Sequence, residues 1–315
     1  MSLFKRLKSV VGVTLILWAF SERIFWSFWR PDENFGEAAF TLFVYFIATY
    51  GVCLLLKSYE VRSVWGLVLV GAIYGWITEG LVAMTFFGAG GIPLPFSISW
   101  TGLAWHMLIS VLLVLWIGRD YLQSNFWRSA GFNTLLGLFW GLWSMTWFFE
   151  TPPVFTTPEA FAVHAWIMGC FLVLGHLLLN KSSGFNSTKT EGVVIFGLIL
   201  VWALTVTFLT VGPFLVILLF LFGITLWLLH KEKRRPKPGF LVLDKIFKPA
   251  PVKNILTLFL IPFIASGFYQ SLILGVIPPV PFNWVVLFVT TIAGFYFYTK
   301  AALEVLKTKN KYFDK

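Results

Sequence analysis

The chain has 315 residues, a formal net charge of +10, 58% hydrophobic residues and only 12% charged ones. Soluble globular chains carry about 25% charged residues, so the composition argues against a water-soluble fold and for an all-α, polytopic transmembrane bundle. The basic excess is not a nucleic-acid signature, because it sits in short polar connections between apolar runs, where it sets topology.

In chain order, the opening "MSLFKRLKSVVGVTLILWAF" has the basic start of a signal peptide. Its apolar part is too long and no small-x-small site follows, so it reads as a retained first helix. About ten spans are expected, at 9–28, 38–56, 63–87, 98–117, 130–149, 160–179, 192–210, 213–229, 254–275 and 283–304. Each approaches the roughly 20 residues that a 30 Å hydrocarbon core requires. The seventh and eighth are divided only by "TVGP" at 210–213, where Gly-Pro is the turn signal.

With the N-terminus in the cytoplasm, 22 of the 24 basic residues fall inside, all but Arg23 and Arg30. The positive-inside rule therefore predicts both termini in the cytoplasm and five helical hairpins in one integral-membrane domain. The hairpins turn outside through "RPDENFGE", "GAGGIPLPFS", "TPPVFTTPEA", "TVGP" and "GVIPPVPFN". The largest inner loop, 230–253, is basic and is expected to anchor topology and to attract anionic lipid headgroups. Cys53 and Cys170 both lie in apolar runs, so no disulfide framework is implied. The composition fits a multi-pass protein of the cytoplasmic membrane. A partial hairpin repeat relates 77–100 to 269–284, and "FSER" matches "ITEG" in type, each a hydroxyl residue followed by glutamate.

Ionisable residues inside the apolar runs call for an explanation. At 1.5 Å per residue, Glu22 lies about 21 Å beyond Lys8 and Glu79 about 25 Å beyond Arg62, in the outer third of the core. Glu150 ends the fifth span, and His106 and His164 come early in helices that start outside. These five form an outer layer of catalytic candidates: Glu79, Glu22, His106, His164 and Glu150. Charges at such depth usually face a bundle interior or a wet cavity. His176 lies near the inner end. Trp18 and Trp26 flank Glu22 at helical spacing, Trp76 precedes Glu79, and Trp105 and Trp166 stand beside the two histidines. These indoles, with Asp32 and Glu33 of the first outer turn, are the substrate-binding candidates. A carboxyl among indole rings is costly to ionise, which suits a general acid. An ionised one in an aromatic box would instead bind a cation. Glu22 pairing with Arg23 or His106, and tryptophans serving only as interface anchors, are the structural alternatives.

No spaced metal ligands of the H-x-x-x-H kind occur, nor a G-x-S-x-G elbow, a phosphate loop or a dinucleotide fingerprint, so no metal or cofactor is assigned.

Two stretches resemble known families. "RPDENFGEAAF" (30–40) resembles the first outer loop of GT-C membrane glycosyltransferases, which implies a catalytic role for Asp32 or Glu33 with polyprenyl-phosphate sugars. "TEGLVAMTFFGAGGIPLPFSISW" (78–100) is similar to a segment of membrane carotenoid hydratases, which implies Glu79 as the acid. Both point to isoprenoid substrates. The leading expectation is an enzyme acting on a lipid-soluble substrate near the extracytoplasmic leaflet. The alternatives are a secondary transporter, since ten spans with both ends inside resemble the drug/metabolite transporter architecture, and a non-catalytic scaffold subunit. In the transporter, Glu22 would be the coupling site.

Overall fold

The computed structural model describes residues 3–88, 91–182, 184–234 and 240–307. The basic residues expected at 235–239, part of the second outer turn and the end of the C-terminal tail lie outside the described residues. Among the described residues all regular structure is helical.

Eleven helices suffice to place the site. They are α1 (Leu3–Trp18), α2 (Phe35–Ser58), α3 (Val64–Val82), α4 (Ser97–Leu122), α5 (Phe126–Ser144), α6 (Pro158–Asn180), α7 (Lys189–Trp202), α8 (Leu215–Lys233), α9 (Val242–Phe247), α10 (Val252–Ile273) and α11 (Phe282–Leu306). Local chemistry sets where several begin. Asn34 caps α2 in a reciprocal box with Glu37, and Thr188 caps α7 in the same way with Glu191. Thr157 caps α6 ahead of Pro158, and Ser63 and Asn125 cap α3 and α5.

Seven helical stretches among the described residues are long and apolar enough to cross a membrane. The difference from the ten expected spans falls at three places. α1 has 16 residues and carries Lys5, Arg6 and Lys8. α5 is diluted by Arg128, Asn133, glycines and tryptophans. Lys189–Lys233 counts as one 45-residue stretch, although Gly212 interrupts it with φ of +59°. Both ends of that stretch meet α2's C-terminal end: Thr188 and Lys189 share a pocket with Lys57 and Ser58, and Lys233 donates to the Ser58 carbonyl at 2.8 Å.

Polar contacts gather at two opposite ends of the bundle. At one end Arg6 pairs with Glu191, Ser63 bonds Glu232 and Lys245 pairs with Asp120. Arg119, fully buried there, donates to the carbonyls of Ile246 and Lys248 and to Asn180, and faces His176. All four partners are neutral, so this guanidinium holds α9 and its flanking chain against α4 and α6. Hydrogen bonds to a charged group contribute about 1.5–3 kcal/mol each. Arg119→Ala is therefore expected to lower stability by at least about 3 kcal/mol and to speed proteolysis around α9, as read by thermal unfolding in detergent and limited digestion.

The glycines are not confined to turns. Many sit where helices cross, as small residues do in membrane bundles. A Cβ on Gly75 would fall 2.1 Å from the Gly102 carbonyl oxygen, so α3 and α4 touch backbone to backbone there.

Candidate functional site

Four helices widen locally into π-helical turns, in which one extra residue re-aims the side chains that follow. Ile24 N–H reaches the carbonyl of Ala19, Ala83 that of Thr78, and His106 that of Thr101. The widened segments are Ala19–Arg23, Ile77–Val82, Gly102–Ile117 and Ala203–Thr207. Glu22, Glu79 and His106 each lie in one of them. The likeness of "FSER" to "ITEG" thus has a physical counterpart, because both glutamates ride on π-turns that end their helices. Such turns are frequent at functional sites.

The Gly75–Gly102 approach lies one turn before Glu79 and His106 in their helices, and it brings the two side chains together. His106 Nε2 stands 2.6 Å from Glu79 Oε1. Thr101 donates to Glu79 Oε2 at 2.7 Å, and Thr85 donates to the same oxygen. Thr85 gets there because Met84 takes a left-handed conformation, φ +59°, and turns the chain back over the glutamate. His106 is buried, its Nδ1 makes no hydrogen bond, and its ring packs edge-on to Tyr74.

Glu22 enters from the neighbouring π-turn. Its Oε2 accepts from the Tyr45 hydroxyl at 3.1 Å, while Ser21 beside it bonds the Tyr74 hydroxyl at 3.0 Å. Neither of its expected structural partners is used. Arg23 turns away to a two-pronged ion pair with Glu33, under the faces of Trp18 and Trp29.

Glu22 and Glu79 line one cavity of about 140 Å³, together with Thr41, Tyr45, Thr78 and apolar residues of α2 and α3. Phe40, Val44 and Val82 are shared with an adjoining groove of about 120 Å³, walled by Ile47, Leu81, Leu198 and Trp202. Phe40, Phe43 and Leu198 are each about half exposed at its mouth. The groove therefore opens sideways between α2 and α7, on the flank where lipid would lie. α7 is fastened across it by Trp202 Nε1 and Thr207 Oγ1, which both donate to the Leu81 carbonyl at 2.8 Å.

The remaining candidates lie elsewhere. Glu150 pairs at the rim with Arg30, whose guanidinium packs against the rings of Trp26 and Trp147. With Glu150 about one-third exposed, Glu150→Gln is expected to shift stability by no more than about 1 kcal/mol. His164 sits between Trp140 and the Arg23 backbone, and Asp32 is exposed next to Arg30. Trp18 bonds Thr41 at the back of the cavity. Trp76 bonds the Ile98 carbonyl, Trp105 bonds the Phe20 carbonyl, and Trp166 faces outward against Phe259. The indole wall expected around the glutamates is thus mostly packing, and Phe40, Tyr45 and Tyr74 stand in its place. Tyr45, Thr85 and Thr101 carried no sequence signal: a tyrosine in an apolar run and two lone threonines are ordinary membrane residues. Among the described residues no cluster of three or more metal-ligating side chains occurs.

No family model, no curated protein and no solved structure matches this chain. Functional inference therefore rests on this geometry.

Proposed function

We propose that the chain is a membrane-integral enzyme that performs acid–base chemistry on a lipid-soluble substrate, of isoprenoid or similar type, near the outer leaflet. The observation that carries the reading is a single cavity lined by two carboxylates and adjoining a sideways apolar groove across Phe40, Val44 and Val82. A chain drawn from the bilayer would lie in the groove, with its reactive end against Glu79 and Glu22. His106 would hold Glu79 in place beside the reacting end. Buried, tightly packed residues beneath the cavity, Tyr74, Met107, Val70 and Val111, weigh toward sideways access and chemistry rather than an axial transport path.

The accompanying topology has ten crossings in five hairpins, with both termini in the cytoplasm. It is supported by the basic belt at one end of the bundle and by the return of Lys189–Lys233 to its starting level. The inner lysines, such as Lys245 over Trp116, would meet anionic headgroups.

The test compares lipid extracts by mass spectrometry from cells producing the wild-type chain or Glu79→Gln at equal membrane levels. A lipid species that accumulates or disappears only with the wild type is the expected result. Identical lipid profiles would overturn the reading.

A further inference from the structure

The two glutamates of the cavity are not equivalent. Glu79 is held at both oxygens: the Thr101 and Thr85 hydroxyls donate to one, and His106 Nε2 meets the other. A carboxyl group has at most one proton to give, so at least two of these three contacts must run toward it. That arrangement suits a permanent anion. Glu22 receives one hydrogen bond, from Tyr45 to Oε2, and among the described residues its Oε1 meets no donor. It faces a largely apolar cavity that already holds one negative group.

The other ionisable groups near Glu22 do not alter this imbalance. Arg23 is adjacent in sequence, but its guanidinium is committed to both oxygens of Glu33. Tyr74 is tied to Ser21, and His106 faces Glu79. Two carboxylates sharing a low-dielectric site seldom ionise together, and such pairs separate into one acid and one base.

We infer that Glu22 is the proton-carrying carboxyl of the cavity and Glu79 its fixed anion, so that the site admits an uncharged lipid headgroup and rejects a phosphate. Among the described residues no arginine or lysine lines the cavity or its groove to compensate an anionic ligand. Tyr45 acts as the positioning residue: by occupying Oε2 it leaves Oε1 to present the proton. The inference rests on the reading of this cavity as the reacting site, but its own test does not require turnover.

Infrared spectroscopy of the full chain reconstituted in lipid at neutral pH reads the protonated carboxyl directly, through its C=O stretch. The band is expected in the wild type, absent in Glu22→Gln and shifted to higher frequency in Tyr45→Phe, which removes the hydrogen bond without removing the acid. Absence of the band in the wild type, or its survival unchanged in Glu22→Gln, would overturn the assignment.

The ligand class is tested on the same preparation with photoreactive geranylgeraniol and photoreactive geranylgeranyl phosphate. The alcohol should label the Phe40–Ile47 stretch at least about tenfold more than the phosphate, since like charges brought together in such a site repel strongly. Equal or stronger labelling by the phosphate would refute the charge preference. If the infrared band and labelling behave as expected while the lipid profiles are identical, the assigned proton stands and the enzymatic reading falls.

Discussion

Glu79→Gln is expected to reduce product formation by about 10²–10³-fold, as when one preorganised electrostatic group is removed from a reacting centre. The substitution keeps the shape of the side chain but turns one acceptor into an NH₂. That NH₂ must then face either the His106 ring nitrogen or the two threonine hydroxyls that now donate to Oε2. The hydroxyls can rotate to accept, so the variant should insert and fold, as read by detergent-solubilised yield and a monodisperse elution profile. His106→Leu removes the contact to Glu79 Oε1 and leaves both threonines. Its expected loss is smaller, about 10–100-fold, as for one hydrogen bond to a charged group. A Glu79→Gln protein with full turnover would remove Glu79 from the chemistry.

The second large effect concerns packing. Gly75→Ala places a methyl group 2.1 Å from a carbonyl oxygen and 2.6 Å from the carbonyl carbon of Gly102. Both obstacles are backbone, so no rotamer change relieves them and α3 must separate from α4. Overpacking a tight core costs about 1–3 kcal/mol where side chains can yield. Here the expected loss is at least about 3 kcal/mol, and Gly75→Val should fail to accumulate as folded protein. The separation also pulls His106 away from Glu79, so any Gly75→Ala protein that does fold should lose activity out of proportion to its stability. Thermal unfolding in detergent, set against turnover per folded molecule, separates the two effects. Wild-type stability in Gly75→Ala would show that the helices do not meet as described.

Much of the architecture was legible in the sequence because it follows from solvent. Apolar runs of bilayer length, basic connections and proline-rich turns are local, additive signals. Glu79, Glu22 and His106 also stood out, since an ionisable residue in an apolar run is costly wherever its helix packs. The tryptophans misled for a related reason. Indoles are favoured near membrane interfaces whether or not a substrate is present, and Trp76, Trp105 and Trp166 proved to be used in helix packing or turned outward. His164 packs against Trp140 and Glu150 pairs with Arg30 just past a helix end, and position along the chain cannot tell such surroundings apart.

By itself, then, the sequence determined that the chain is a helical membrane protein and that a few acids and histidines lie within or at the ends of its apolar runs. Hydrophobicity and charge are properties of residues one at a time, and the bilayer reads them that way. Only the tertiary structure decided which of those groups meet. The pairing of Glu79 with His106 depends on two glycines 27 residues apart touching backbone to backbone, and on π-turns that rotate both glutamates into one cavity. It also decided how that cavity is reached, because the sideways groove exists only where α2, α3 and α7 pack and leave an apolar seam between them. Those are relations between distant segments, and no single run of sequence encodes them.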